Sequence, residues 1–345
     1  MTFGILGSGS WGTALAKILT DNGQHIYWWN RSEAAIEKFY QRKHNTQYLQ
    51  SARFDTSKLK LTIDPAEVLN NSDVIIIAIP SAFVQEVLVT LDKNIFKDKK
   101  ILSAVKGIIP QKNLLLNDLL QQDFNVEIEN YFAVLGPCHA EEVAAEKLSY
   151  LTFTGVDEVV TVDIASYFKN SYLNTVINKD IYGVQYAAVL KNIYAVAAGI
   201  AHGLDYGDNF LSVLIANSAD EMAGFLRKAG IINAEVGYIE HKKNADMPAH
   251  SNYAASVYLG DLLVTCYSLF SRNRNFGNMI GKGYSVKAAQ LEMSMVAEGY
   301  NASQCMHIIN KVVGAEMPIA ETVYNILWNQ SPATEGFKKI EETLI

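Results

Sequence analysis

Phe3-Gly4-Ile5-Leu6-Gly7-Ser8-Gly9-Ser10-Trp11-Gly12-Thr13-Ala14-Leu15-Ala16 contains three glycines in G-x-G-x-x-G spacing. An apolar, strand-like run, Phe3 to Leu6, enters the motif, and a helix-like run from Thr13 to Leu19 leaves it. A second strand-like run, His25 to Trp29, follows at the distance a βαβ unit requires. In that setting Gly7 permits a tight turn, Gly9 lets a diphosphate approach the backbone, and Gly12 lets helix and strand pack closely. The helix that starts there offers free N–H groups and a partial positive charge to phosphate. A glycine-rich turn without a ligand has the same letters; the flanking strand and helix favour a dinucleotide site.

The alternation continues. Further strand-like runs are Asp73 to Ile79, Lys100 to Val105, Tyr131 to Leu135, Leu151 to Thr154 and Leu173 to Ile177. Several are continuous β-branched runs, the signature of strands buried on both faces of a parallel sheet. Beyond Asn178-Lys179-Asp180 such runs stop and helical patterns take over, at Tyr186 to Ala201, Phe210 to Ala229, Leu259 to Leu269 and Val286 to Met295. The expected fold is α/β: a Rossmann-like doubly wound domain over 1–180, then an all-α domain over 181–345. Asn233 to Asn252 reads as a polar excursion, and Lys338-Lys339-Ile340-Glu341-Glu342 as a solvated end.

Bulk composition narrows the functional classes. With 345 residues, 49% hydrophobic and 19% charged, the chain can bury two ordinary cores. A formal net charge of -7 argues against a nucleic-acid partner but leaves an anionic small substrate open. Three widely spaced cysteines, Cys138, Cys266 and Cys305, fit a reducing, cytoplasmic setting rather than a disulfide framework. Seven histidines show no metal-ligand spacing, so no metal is expected. No basic stretch precedes the first apolar run, so no secretory leader is expected, and no apolar run is expected to approach the roughly 18 residues that span a bilayer.

The second strand ends Trp28-Trp29-Asn30-Arg31-Ser32, with no acidic residue placed for a ribose 2′-hydroxyl. Arg31 can meet a 2′-phosphate instead, which favours NADP with dual use of NAD; a surface arginine would read alike. Lys191 lies in Tyr186 to Ala198, a segment apolar around nearly its whole circumference, with Ala187 and Ala195 on its own face. Desolvation and neighbouring cations bring such a lysine toward the range of a general base; a lysine that reaches solvent or joins a structural ion pair is the other reading. Lys106, before Gly107, follows a buried strand at the end where ligands bind in parallel sheets. Gly136-Pro137-Cys138-His139-Ala140 opens a helix whose N-terminus can hold an anion, or is ordinary strand-to-helix punctuation. Asp261 and Thr265 share a helix face, and Ser271-Arg272-Asn273-Arg274-Asn275 groups donors suited to a phosphate, or caps a solvated helix end.

Together these segments resemble the bacterial-type NAD(P)-dependent glycerol-3-phosphate dehydrogenase family, over roughly Thr2 to Trp328. The marks are GSGSWGTALA, DVIIIAIPS at 73–81, VKG at 105–107, GPCHAEEVA from 136, GVQYAAVLKNIYAVAAGI from 183, GDLLVTC from 260, SRNRNFG from 271 and VAEGY from 296. The resemblance implies reversible oxidation of sn-glycerol 3-phosphate to dihydroxyacetone phosphate, serving phospholipid synthesis. It implies Lys191 as proton acceptor, with Lys106, Asp261 and Thr265 at the reacting end. It also implies substrate contacts at Lys106, Gly136, Cys138, Lys191, Asp261, Ser271, Arg272 and Asn273. Implied cofactor contacts are the loop Gly7, Gly9, Ser10, Trp11 and Gly12, then Arg31, Lys106, Ala140, Arg272, Val296 and Glu298. A homodimer is the assembly expected. The chain departs from the family pattern at Cys138 (Ser or Thr is usual), at Leu135 (Ser) and at Tyr258 (Gly), and it carries extra residues around Ile239 to Asn252. A reductase of small hydroxy or keto acids, and a non-catalytic cofactor-binding sensor, are the alternatives.

Overall fold

The structure is a computed structural model that describes residues 1–231, 254–293 and 295–344. The excursion read at Asn233 to Asn252 lies outside the described residues. The described chain divides into two compact units, one of Met1–Val105 with Leu114–Ile181, the other of Lys106–Asn113 with Tyr182–Ile345. The sequence places residues 106–113 with the sheet, whereas their contacts place them with the helices.

The first unit alternates strands and helices: β1 (Phe3–Leu6), α1 (Ser10–Asp21), β2 (Ile26–Trp29), α2 (Glu33–Arg42), β3 (Leu59–Thr62), α3 (Pro65–Asn70), β4 (Val74–Ile77), α4 (Ser81–Leu88), β5 (Lys100–Ser103), α5 (Leu116–Phe124), β6 (Tyr131–Leu135), α6 (Ala140–Ala144), β7 (Ser149–Thr154), α7 (Glu158–Ser166) and β8 (Leu173–Asn178). The strands form one eight-stranded sheet in the order β3-β2-β1-β4-β5-β6-β7-β8. Every pair is parallel except β6 with β7. The order reverses between β1 and β4, whose residues Phe3 and Leu6 pair with Val74 and Ile77. That reversal opens a crevice at the carboxyl end of β1, where the glycine loop begins. Both strands are buried along their whole length, as their continuous apolar runs require. Strand β3 was not legible in the sequence. It is short, and Leu59 and Leu61 point inward while Lys60 is exposed, the alternation of an edge strand rather than an apolar run.

The second unit contains α8 (Ile181–Gly203), α9 (Asp208–Lys228), a π-helical turn over Ala254–Gly260, α10 (Asp261–Tyr267), α11 (Arg272–Gly281), α12 (Val286–Glu292), α13 (Glu298–Val313), α14 (Pro318–Trp328) and α15 (Ala333–Thr343). Helix α8 corrects the expectation that no segment is long and apolar enough to cross a membrane. It passes that test with 23 residues and a mean hydropathy of 1.2, and 94% of its apolar window is buried in the protein. The supposed solvated end is also corrected. Residues 338–342 belong to α15, whose Phe337 and Ile340 are buried one turn apart against the core. The charged letters around them occupy the outer face.

Helices α8 and α11 meet at glycines. A Cβ on Gly199 would lie 2.0 Å from the carbonyl oxygen of Arg274, and one on Gly277 would lie 2.1 Å from that of Val196. Gly203 and Gly281 face each other one turn further along. Main chain therefore packs on main chain, and the contact advances in the same direction along both helices. Behind α8, Glu221 of α9 accepts hydrogen bonds from Ile319 N (2.8 Å) and Ala320 N (2.9 Å), two free N–H groups in the first turn of α14. Burial raises the Glu221 carboxyl to about 7, against the opposing pull of those two N–H groups, and the Tyr194 hydroxyl of α8 adjoins it.

Two outcomes follow from this packing. Gly277→Ala should lower the urea midpoint and cost about 2–3 kcal/mol or more, because backbone cannot yield as a side chain does. A carboxyl with a raised pKa adds stability below its ordinary value of 4.5 and loses it as pH rises to about 7. Thermal midpoints of the wild type should therefore fall relative to Glu221→Gln between about pH 4.5 and about pH 7, with an energetic ceiling of about 3 kcal/mol.

Candidate active site

The three motif glycines differ in what requires them. Gly7 has φ +119°, and a Cβ there would lie 2.5 Å from the carbonyl oxygen of Ala78. A Cβ on Gly12 would lie 2.2 Å from the carbonyl oxygen of Gly7. Both are dictated by the protein's own chain. Gly9 has ordinary extended geometry, φ -73° and ψ -176°, and a Cβ added there meets nothing within 4 Å. The fold leaves that space open at the first turn of α1, so the loop fits a diphosphate that must approach main chain. Ser10 and Trp11 follow, half-buried. Asn30, at the end of β2, is buried and donates its N–H to the carbonyl oxygen of Thr62, while Arg31 stands exposed beside it. An open groove of about 730 Å³ runs along α2 and the turn after it, lined by Ser32, Lys38, Arg42, His44, Gln47 and Gln50 among others.

At the end of β6, Gly136 has φ +131° and its Cβ position is 3.0 Å from the carbonyl oxygen of Tyr150. The Cys138 thiol donates to that same oxygen at 3.2 Å. Ala140 begins α6, which is five residues long. So short a helix accumulates little dipole, which lends little support to an anion held at its end.

In the helical unit the sequence's chemistry converges. Lys191 of α8 and Asp261, the first residue of α10, are 3% and 1% exposed and form an ion pair through Asp261 Oδ1. Thr265, one turn along α10, donates to the carbonyl oxygen of Asp261 at 2.5 Å and lies 3.4 Å from Oδ1. Asp261 Oδ2 is equally buried and has no hydrogen-bond partner among the described residues. A buried carboxylate oxygen without a donor is uncommon in a finished core, and a polar ligand group would supply the missing donor. Cys266, the next residue on α10 after Thr265, is no nucleophile: burial pushes its thiol up to about 12 despite the positive charges of Lys191 and Arg274.

Sequence reasoning missed Asn192. Its Nδ2 donates to the carbonyl oxygens of Lys106 (2.8 Å) and Ala188 (3.0 Å), and its Oδ1 accepts from Asn273 Nδ2 (2.8 Å). Asn273 Oδ1 in turn accepts from Gly299 N at 2.9 Å. This amide chain ties the main chain at Lys106 to α8, α11 and the start of α13. It places the Asn273 amide within the scaffold, with Ser271 capping α11 through Arg274 N (3.3 Å) and Arg272 exposed at its N-terminus. Val296 and Glu298 are half-buried ahead of and at the start of α13. The only available signal was a polar Lys191-Asn192 pair within the apolar segment Tyr186 to Ala198.

Family models described as the N-terminus and the C-terminus of NAD-dependent glycerol-3-phosphate dehydrogenase match residues 2–160 and 180–338. A glycerol-3-phosphate dehydrogenase [NAD(P)+] of Bacillus subtilis is 34% identical over 326 residues, 94% of this chain and 89% of that protein. One from Staphylococcus carnosus is 32% identical over 335 residues, 97% of this chain and 96% of that protein. The chain belongs to the glycerol-3-phosphate dehydrogenase family. The crystal structure of the Coxiella burnetii glycerol-3-phosphate dehydrogenase superposes with a TM-score of 0.85 at 26% identity, covering 99% of this chain and 98% of that one. Membership supplies the class of cofactor, NAD or NADP, for which the open Gly9 position is suited.

The difference among the glycines is testable. Gly9→Val should keep a near-wild-type thermal midpoint yet lose cofactor binding, read by nicotinamide fluorescence. Gly12→Val should fail to fold, because its side chain would meet backbone.

Proposed function

We propose that this chain catalyses the reversible NAD(P)-dependent interconversion of sn-glycerol 3-phosphate and dihydroxyacetone phosphate. The observation that carries the assignment is the buried Lys191–Asp261 pair, with one carboxylate oxygen left open, in a member of this family. In reduction, the Lys191 ammonium hydrogen-bonds the carbonyl oxygen at C2, polarises it and donates the proton. In oxidation the neutral amine takes the C2 hydroxyl proton. The bound nicotinamide supplies or takes up the hydride. Asp261 holds the ammonium through Oδ1, Thr265 fixes the start of α10, and Lys106 adds a second cation that lowers the cost of deprotonating Lys191.

The phosphate belongs at the N-terminus of α11, where Arg272 is exposed. Gly136 and Cys138 contribute substrate contacts, the latter weaker than a hydroxyl because a thiol is the poorer donor. Asn273 acts through the amide chain, by holding α11 in place. Arg31 reads the 2′-phosphate, which makes NADPH the preferred reductant, and Ser10, Trp11, Ala140, Val296 and Glu298 complete the cofactor contacts. Glycerol 3-phosphate made this way feeds glycerophospholipid synthesis. The same reading gives a cytoplasmic homodimer, in which α8 is a core helix and not a membrane span.

Dihydroxyacetone phosphate should drive loss of NADPH absorbance faster than loss of NADH absorbance, and Arg31→Ala should erase that difference. Lys191→Ala should lose about three orders of magnitude in kcat while cofactor affinity stays within about twofold. Near-normal turnover in that variant would remove Lys191 as the proton-transfer group.

A further inference from the structure

Asn45 lies in the turn after α2, 7% exposed, and none of the family motifs above includes it. Its Nδ2 donates to the carbonyl oxygen of Ser8 at 2.9 Å and to Thr13 Oγ1 at 2.9 Å. Its Oδ1 accepts from Gln47 N at 3.1 Å and Tyr48 N at 3.2 Å. Both N–H groups and both lone pairs of the amide are thereby used. Trp28 of β2, 1% exposed, donates Nε1–H to the carbonyl oxygen of Gly7 at 2.9 Å. Two consecutive carbonyls of the glycine loop are therefore held by side chains from outside it.

Each carbonyl shares a planar, trans peptide unit with the N–H of the next residue, which points the opposite way. Fixing the Gly7 and Ser8 oxygens fixes the Ser8 and Gly9 N–H directions, turned away from Trp28 and Asn45. A freely rotating loop would present carbonyl dipoles to an anion in part of its population. We infer that Asn45 is a positioning residue for the cofactor: it pre-orients the loop's N–H groups for the diphosphate while making no contact with it. Thr13, fully buried in the first turn of α1, ties the same amide to the helix, so loop and helix N-terminus are set together. The inference rests on the glycine loop being the diphosphate site.

The test is NADPH titration of the full-length wild type, Asn45→Asp, Asn45→Ala and Gly9→Val, with thermal midpoints and steady-state kinetics alongside. Asn45→Asp keeps the shape, removes both donors and sets an anion against the Ser8 oxygen. It should raise the NADPH Kd by about tenfold to a hundredfold, leaving kcat at saturating NADPH and the dihydroxyacetone phosphate KM within about twofold. Asn45→Ala, which buries no charge, should raise the Kd by about fivefold to tenfold and decides the matter if Asn45→Asp does not fold. A lowered thermal midpoint with an unchanged NADPH Kd would mean a purely structural amide and would overturn the inference. In that event loss of NADPH binding in Gly9→Val leaves the loop assignment standing; normal binding in Gly9→Val overturns both.

Discussion

The Lys191–Asp261 pair is the constraint around which the helical unit is built. Removing a carboxylate and an ammonium from water costs several kcal/mol for each ion, and mutual attraction repays this only with close geometry and further hydrogen bonds. The pair gives no reason for the fold to be stable; the fold must be stable enough to hold it. The means are visible in α8, whose residues are buried for most of its length, and in the main-chain contact with α11 at Gly199, Gly203, Gly277 and Gly281. That contact fixes spacing without relying on flexible side chains. Because it advances along both helices in the same direction, it brings the N-terminal end of α11 to the level of Asn192, one residue from the buried lysine.

Charge and position are handled by different residue types. The ionic groups, Lys191 and Asp261, are few and nearly dry. In the helical unit the tethers are neutral amides, Asn192 and Asn273; in the sheet unit, taken by itself, Asn45 is another. An amide offers two donors and two acceptors in a plane, so it can tie several backbone segments at fixed angles without adding charge to a site whose electrostatics matter. Asp261 Oδ2 differs from these tethers: it is a buried carboxylate acceptor with no hydrogen-bond partner among the described residues.

What could be read from the sequence was what lies close together along the chain. The glycine loop, the continuous apolar strands β1 and β4, and the lysine inside an apolar helix each declare themselves within a short window. Strand β3 did not, because an edge strand needs only two inward leucines. Helix α15 did not, because Phe337 and Ile340 are its main inward-facing apolar residues and sit among charges. The amide chain was out of reach for a different reason. It joins Lys106, Asn192, Asn273 and Gly299, whose separation along the chain no periodicity encodes. The family resemblance identified residues by type and position but gave no account of which amides touch a ligand and which hold the scaffold.

That division bears on how the glycine motif itself should be understood. Spacing alone treats Gly7, Gly9 and Gly12 as equivalent letters. The structure separates them: two satisfy the chain's own sterics, and the third leaves a space that no described residue fills. A residue retained for fold and a residue retained for ligand therefore stand two positions apart in one turn. The same separation extends outward to Trp28 and Asn45, which touch only the carbonyl side of the loop. If binding strength depended on the glycines alone, any flexible glycine loop at a helix start would serve. The cost of ordering such a loop must be met at the moment of binding unless the fold has met it in advance. Hydrogen bonds that hold the carbonyls back are how a short loop, poor in side chains, is kept in the one conformation that presents its N–H groups.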